Sequence, residues 1–308
     1  MSVKENLYEI KKKTKKFYRD YFTVDGTYTN LLSDKQFISR YYRRIFNREL
    51  NWNNPTLYSE KINWLKLYDR QPIYTVMADK YASREFITER FGEGYLVDLL
   101  GVWDSSDDID FDTLPDKFVL KCNHDNGVLI CKDKNSLDFD KVRKEFTDRL
   151  NCDFYKKRRE WPYKNIKRKI ICEKLMENTD GSELLDYKVF CFNGIARIIE
   201  VNSDRFSGHS KEDHYDINWN HLDLKFEHYE QSGDRFEKPV FFDEMINISE
   251  KTASGIPFLR VDFNCWNGKI YIGEMTFYHN AGFAKFEDYK WDELLGSWIE
   301  LPNRKTGV

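Results

Sequence analysis

The chain has 308 residues, enough for one large domain or two lobes, and its composition is that of a folded globular protein. A formal net charge of −3 gives no general electrostatic reason to bind nucleic acid, and we expect none as a partner. Its six cysteines form no C-x-x-C pair, and no apolar run of about 18 residues occurs. We therefore expect a cytoplasmic protein with reduced cysteines.

Residues 1–72 are predicted to form an N-terminal helical segment. Lysines and aromatic residues intermingle between residues 4 and 22, a pattern that favours either a basic helix with weak membrane-surface contact or a plain docking helix. Further helices are predicted at 33–48 and after Pro55, the latter with Ser59 as its N-cap.

A fourth helix, predicted at 74–90, carries two cations that face one another along its surface. Lys80 and Arg84 are four residues apart and would share one helix face. Two cations on one face indicate either an anion site or an exposed helix surface, and the local sequence alone favours the exposed surface.

The segment that follows predicts two short strands, 117–122 and 128–132, around the polar loop 123–127. A strand carrying a lysine and followed by a glycine-containing loop lets an ammonium and backbone N–H groups surround phosphates, although a polar hairpin turn has the same pattern. Lys121 stands between Leu120 and Cys122, and a lysine in an apolar strand needs a partner. We therefore predict that Lys121 faces a site.

The middle of the chain alternates predicted strands with polar loops. Helix 137–151 precedes a basic aromatic segment that either grips an anion or is a solvated loop. Strands are predicted at 169–176, 185–192 and 195–201, the second with Lys188 inside it. Loop 202–231 holds four of the six histidines without a zinc-binding pattern, so we expect no structural zinc there.

Residues 258–283 gather an arginine, two carboxylates and a glycine turn on one predicted hairpin, between helices at 243–254 and 289–299. A two-residue Asn267-Gly268 loop would place Asp262 and Glu274 on opposite faces, because strand side chains alternate. A three-residue loop with a bulge would place both on one face, with Arg260 and Thr276. We predict the three-residue loop, since two carboxylates on one face could share Mg²⁺, although alone they are more typical of a solvated face.

Taken in order, these segments resemble the ATP-grasp superfamily and, within it, the TupA-like branch associated with teichuronopeptide synthesis and bacterial surface polysaccharides. The resemblance extends over about residues 50–300. It implies an α+β ATP-grasp fold in which two lobes with antiparallel sheets hold ATP between them. The lobes are expected at 73–176 and 177–308, preceded by the helical segment 1–72.

The resemblance also implies a role for each matching residue. The D-K-x-x-S-R segment from Asp79 to Arg84 would contact phosphates, and 173–175 would meet adenine and ribose. The implied cofactor-binding residues are Lys80, Arg84, Lys121, Asn123, Gly127, Glu173, Lys174, Leu175 and Lys188, with Arg260 and Lys121 as catalytic residues. The implied Mg²⁺ ligands are Asp262, Glu274 and Thr276, although ATP-grasp enzymes usually have asparagine in place of Thr276. Candidate substrate contacts are Asn202, Asp204, Arg205, Arg158 and Arg159.

The activity implied is ATP- and Mg²⁺-dependent ligation of a carboxylate to an amine through an acyl phosphate. The partners would be a uronic acid or related small-molecule or saccharide carboxylate and an amino acid or amino sugar. Two alternatives stay open. A glycosyltransferase could use Asp110-Phe111-Asp112 as a D-x-D motif, although polar residues precede it rather than a buried strand. A non-catalytic nucleotide-binding module could keep the same fold and charges.

Overall fold

The protein is described by a computed structural model over residues 31–178, 184–203 and 210–303. Its helices are α1 (Asp34–Phe46), α2 (Tyr58–Tyr68), α3 (Pro72–Ala78), α4 (Ser83–Phe91), α5 (Phe139–Leu150), α6 (Phe154–Arg158), α7 (Phe242–Ala253) and α8 (Lys290–Ser297). Its strands are β1 (Leu99–Trp103), β2 (Phe118–Cys122), β3 (Val128–Cys131), β4 (Ile170–Lys174), β5 (Asp186–Phe192), β6 (Ile195–Ser203), β7 (Lys211–Asp216), β8 (His221–Leu222), β9 (Phe258–Trp266) and β10 (Lys269–Thr276).

The strands form two antiparallel sheets. The first has the order β1-β4-β2-β3, and the second has the order β10-β9-β5-β6-β7-β8. Each sheet has its own apolar core: Val142 and Phe146 of α5 pack against the first, and Met245 and Ile248 of α7 belong to the core of the second. The predicted α+β architecture with two antiparallel sheets is confirmed. The proposed lobes, 73–176 and 177–308, would each contain one sheet.

Helix α2 lies almost wholly inside the protein and supports the turn that follows β10. Asn63 donates to the carbonyl of Gly282 at 2.6 Å, and Lys66 donates to the carbonyl of Ala281 at 2.5 Å. The predicted N-cap, Ser59, is wrong, because the N-cap is Leu57 and the Ser59 N–H and hydroxyl donate to Asp292 at 2.7 and 2.8 Å. This buried helix therefore fixes the C-terminal end of the site hairpin.

Two other sequence predictions are corrected by the fold. The helix predicted at 74–90 is broken into α3 and α4, because Oδ1 of Asp79 accepts the backbone N–H groups of Tyr81 and Ala82 and turns the chain. The predicted loop 202–231 contains strands β7 and β8. The basic segment 4–22 lies outside the described residues, and no helix among those described is long and apolar enough to span a membrane.

Gly282 gives a stability test of the support provided by α2. A Cβ at Gly282 would lie 2.8 Å from Ile62 and 3.0 Å from Asn63, and its φ of +72° is one that side chains disfavour. We expect Gly282→Ala to lower the free energy of unfolding by about 3 kcal/mol, measured by urea denaturation. Gly255→Ala is the matched control, because Gly255 has φ +75° with no atom within 4 Å, and it should cost only about 1 kcal/mol. Equal losses would show that the contact with α2 contributes nothing.

Candidate active site

The β9–β10 hairpin brings two carboxylates opposite one another, but not by the predicted turn. Trp266 pairs directly with Lys269, so the loop has two residues, Asn267 and Gly268, with φ values of 49° and 72°. The three-residue loop was therefore wrong. The register shifts instead by a bulge between Ile272 and Glu274, at Gly273.

Beyond this bulge, Glu274 faces Asp262 and Thr276 faces Arg260. The four side chains consequently share one face of the sheet, as their proposed roles require. Burying two carboxylates side by side is costly unless cations surround them.

Arg260 is the centre of the hydrogen-bond network on this face. Its Nε and Nη2 donate to the two carboxylate oxygens of Asp262, both at 2.7 Å, and Nη2 also lies 3.2 Å from the Thr276 hydroxyl. Burial acts against the charged guanidinium, but the Asp262 carboxylate outweighs it and raises the pKa of Arg260. Burial raises the pKa of Asp262 in spite of the same pair. Arg260 is thus a fixed positive charge at the site.

His279 completes this network and was not found from the sequence. Its Nδ1 lies 2.8 Å from Nη1 of Arg260, and its side chain is buried. Burial and the neighbouring guanidinium hold the pKa of His279 well below its usual range. The imidazole is therefore neutral, and Nδ1 accepts a hydrogen bond from Arg260. A histidine just after a strand, without a motif around it, carries no sequence signal for this contact.

Lys80 joins the two sheets at the site. Its Nζ lies 3.1 Å from Oε1 of Glu274 in the second sheet and donates to the carbonyl of Asp125, beside the first sheet, at 2.7 Å. Burial raises the pKa of Glu274, but the charges of Lys80 and Arg260 outweigh it and lower that pKa overall. Glu274 is accordingly ionised and ready to bind a cation.

Lys121 and Arg84 converge on Glu173 from different elements. Nζ of Lys121 lies 2.6 Å from one oxygen of Glu173, and Arg84 lies 3.5 Å from the other. The broken helix therefore still brings Arg84 into the site, although not on a shared helix face with Lys80. Lys174 is different, because its ammonium is exposed beside Asp98. Leu175 follows directly after β4.

The loop from Asn123 to Gly127 is held in place by its own side chains. The Asn123 amide is fully buried, donating to Asp79 at 2.8 Å and accepting from the N–H of Lys169 at 2.8 Å. Arg149 binds both oxygens of Asp125, at 2.7 and 2.9 Å, and its guanidinium fills the space where a Cβ of Gly127 would lie. The Asn123 side chain therefore holds the loop in position instead of facing a phosphate site. This corrects the phosphate contact implied for Asn123.

Polar residues continue across the second sheet in a single row. Directly paired in the register, from edge to interior, are Glu274, Asp262, Lys188, Glu200 and His214. Lys188 lies 2.5 Å from Glu200. Burial raises the pKa of Glu200, but the Lys188 ammonium outweighs burial and brings that pKa well below its usual range. The sequence does not indicate Glu200, because it lies in an apolar run, or His214, because its strand is predicted as a loop.

The candidate substrate residues lie in different parts of the structure. Asn202 is buried on β6 opposite Glu212, on the same face as the polar row. Arg159 is buried and lies 3.4 Å from Asp34 of α1, and Arg158 packs over the ring of Tyr41. These two arginines therefore hold helix α1, which corrects their assignment as substrate contacts. Asp204 and Arg205 lie outside the described residues.

The D-x-D segment of the glycosyltransferase alternative lies in a short 3₁₀ turn on the surface. Its two aspartates are exposed, and Oδ1 of Asp110 accepts the N–H of Asp112. The residue between them, Phe111, belongs to the core of the first sheet. The motif is thus explained by local turn structure.

Two antiparallel sheets with buried cations and opposed carboxylates between them define a protein of the ATP-grasp class. The model of the TupA-like ATP-grasp family matches residues 60–300, and the chain belongs to that family. ATP-grasp proteins use ATP and Mg²⁺, and the class includes carboxylate-amine ligases. Among curated proteins, no sequence matches the chain significantly.

The solved structures that match the chain are only distantly similar to it. The D-alanine–D-alanine ligase of Bacillus anthracis in complex with ATP has 17% identity and a TM-score of 0.38, with 66% of this chain and 55% of that chain covered. The corresponding values for D-cycloserine synthetase are 10%, 0.41, 73% and 71%. For a RimK-domain ATP-grasp protein of Sphaerobacter thermophilus they are 7%, 0.42, 75% and 70%. The chain thus spans just over half the length of the Bacillus ligase.

The Arg260 pair gives a test of the electrostatics of the site. Asp262→Asn would leave the buried guanidinium without its opposite charge, so we expect the free energy of unfolding to fall by about 3 kcal/mol. Asp112→Asn is the matched control, because Asp112 is exposed, and it should change stability by less than about 0.5 kcal/mol. Urea denaturation measures both. A fully stable Asp262→Asn variant would contradict the proposed importance of this pair.

Proposed function

We propose that the protein is an ATP- and Mg²⁺-dependent ligase that joins a carboxylate to an amine through an acyl phosphate. The observation that carries the proposal is the pair Asp262 and Glu274, directly opposed on one sheet face and surrounded by Lys80, Lys121 and Arg260. A site that concentrates cations around two carboxylates suits a polyphosphate held together with a hard metal ion. Membership of the TupA-like ATP-grasp family supports the same activity.

Residues of the first sheet would hold the nucleotide. Lys121 and Arg84 would exchange part of their contact with Glu173 for phosphate oxygens, and the loop braced by Arg149 would cover them. The backbone after β4, at Lys174 and Leu175, is our proposal for the adenine contact. Lys80 and Lys188 would approach the phosphates from the other side.

The donor set on the hairpin fits Mg²⁺. Asp262 and Glu274 offer hard carboxylate oxygens, and each oxygen keeps a second lone pair beyond its contact with Arg260 or Lys80. The Thr276 hydroxyl stands opposite Arg260 as a third oxygen. When bound, the metal would neutralise charge that develops on the phosphates.

Catalysis would then depend on position and charge. The substrate carboxylate attacks the γ-phosphorus, ADP leaves, and the amine displaces phosphate from the acyl phosphate. Arg260 is fixed by Asp262 and His279, so it can stabilise the transferred charge without rearrangement. We propose a uronic acid or related saccharide carboxylate and an amino acid or amino sugar as substrates, in surface-polysaccharide synthesis. The family association supports this choice.

Trapping the acyl phosphate tests the activity itself. A panel of uronic acids and amino acids is incubated with the protein, Mg²⁺-ATP and hydroxylamine, and ADP and hydroxamate are measured. We expect both products in equal amounts with at least one carboxylate. ADP without hydroxamate, or release of nucleoside diphosphate only from a nucleotide sugar, would contradict the ligase.

Glu274→Gln should lower kcat in this assay by at least about 100-fold, because the amide keeps the size of the side chain but loses the charge that binds the metal. The protein should remain folded, since Lys80 retains its contact with the Asp125 carbonyl. Asp112→Asn is the control and should be fully active, because Asp112 lies on the surface turn. Native turnover in Glu274→Gln would show that the hairpin does not bind the metal.

Lys121→Ala should weaken nucleotide binding, since Lys121 is assigned to phosphate charge. Saturating Mg²⁺-ATP, at 100 times its Kd, stabilises a folded protein by about 2.7 kcal/mol, which a thermal melt detects. We expect this shift for the native protein and for Lys117→Ala, whose ammonium pairs with Glu177 on the surface. Lys121→Ala should lose most of it at the same ATP concentration. An unchanged Kd in the folded variant would remove Lys121 from the phosphate site.

A further inference from the structure

A second buried cluster lies on the same sheet face, beyond Lys188 from the opposed carboxylates. Glu200, Glu212 and His214 each offer one ligand atom, and these atoms all lie within 4.8 Å of one another. The three residues are 0%, 6% and 1% exposed. Ionisable groups as deeply buried as these need partners, because burial removes their hydration.

Several atoms of the cluster lack such partners. Among the described residues, Oε2 of Glu212 and Nδ1 of His214 make no hydrogen bond, and neither does Nδ2 of Asn202, which stands opposite Glu212 in the register. Nε2 of His214 and Oε2 of Glu200 lie 3.5 Å apart, at the limit of a hydrogen bond. Most buried polar atoms in proteins are hydrogen-bonded. Two buried carboxylates that converge with incomplete hydrogen bonding therefore indicate a ligand that supplies N–H groups or a positive charge.

Charge identifies the kind of ligand. Lys188 lies 2.5 Å from Oε1 of Glu200 and balances that carboxylate, while burial and the neighbouring Glu200 raise the pKa of Glu212 to about 8. Glu212 therefore holds a proton at neutral pH when no ligand is bound, and a bound cation would take the place of that proton. A ligand with a single positive charge balances this group. A divalent metal would leave an excess positive charge beside the Lys188 ammonium, which is unfavourable in a buried site. A protonated amine also supplies the missing N–H donors.

The position of the cluster fits the order of the reacting groups. Along the row, Lys188 separates the metal-binding pair from Glu200. A cavity of about 210 Å³ lies beside the cluster, lined in part by Phe226 and Tyr229, and the Phe226 ring centroid is 5.8 Å from that of His214. An amine held at the cluster would thus face the reacting phosphate across Lys188, with the cavity on the other side of the Phe226 ring as the proposed space for its remaining atoms.

We propose that Glu200, Glu212 and His214 form the binding site for the protonated amine of the second substrate; this rests on the ligase activity proposed above. The two carboxylates bind the ammonium, and a ring nitrogen of His214 accepts its proton. The nitrogen lone pair then forms the C–N bond to the carbonyl carbon of the acyl phosphate. The C–O bond to the phosphoryl group breaks, and phosphate leaves with that electron pair.

The first test does not depend on the substrates. Crystals of the native protein are soaked in a thallium(I) salt, whose ion resembles ammonium in charge and size and scatters anomalously. We expect a peak among the three side chains, its loss in Glu212→Gln, and its retention in Glu230→Gln, whose side chain is exposed on the neighbouring segment. A second set of native crystals is soaked in a manganese(II) salt. A Mn²⁺ peak at this position in place of thallium, or no peak for either ion, would overturn the proposal.

The second test separates the inference from the ligase proposal. Hydroxylamine is mostly unprotonated at neutral pH and does not require an ammonium site. In Glu212→Gln, the KM for an amino acid or amino sugar should rise at least tenfold, and by more than the KM for hydroxylamine. His214→Gln should lower kcat with these amines by more than it lowers hydroxamate formation, and the exposed control Glu230→Gln should keep the native values of both. An unchanged KM and kcat with amines in both variants would overturn the subsite. Absence of hydroxamate in the native protein would overturn the ligase activity itself, whatever the thallium result.

Discussion

The structure depends on the burial of a row of charges across one sheet. Glu274, Asp262, Lys188 and Glu200 are direct neighbours on successive strands, so the Glu200 carboxylate beyond the hairpin pair meets the Lys188 ammonium. Charged side chains this close together and this deeply buried are stable only when they are paired and hydrogen-bonded. Arg260 and Lys80 supply the balance for the two hairpin carboxylates. The remaining architecture, including buried α2, keeps these groups in register.

Much of the hairpin was predictable, because strand alternation relates spacing to faces. The four site side chains do share a face, but the reason lies in Gly273 rather than in the turn. Two-residue Asn-Gly turns suit the twist of a hairpin, and a later bulge changes the register just as a longer loop would. A glycine inside a strand pattern signals such a bulge, and Gly273 was the available clue. The turn residues alone could not decide between the two registers.

Other parts of the site could not be predicted, because tertiary contacts override local pattern. Strand β7 reads K-E-D-H-Y-D, which lacks apolar alternation, and it is a strand because both of its faces are buried in the sheet. The sequence around Asp79 predicts a continuous helix. The Asp79 side chain nevertheless accepts the N–H groups of Tyr81 and Ala82, and this turn ends α3. The basic segment before β4 predicts either an anion site or a solvated loop, but Arg159 instead forms an ion pair with Asp34. Only the fold distinguishes a structural cation from a functional one.

Lys80 shows how the proposed chemistry would act on this network. In the structure its ammonium occupies Oε1 of Glu274 and ties the second sheet to the loop at Asp125. A Mg²⁺ ion on Glu274 would compete with that ammonium for the same carboxylate, since two cations at one oxygen repel one another. Phosphate oxygens are negatively charged like the Glu274 carboxylate and would give Lys80 a replacement partner. Nucleotide and metal would therefore bind together, because each removes the electrostatic cost that the other creates. The direct ion pair between the two sheets would then be replaced by a contact through the phosphates.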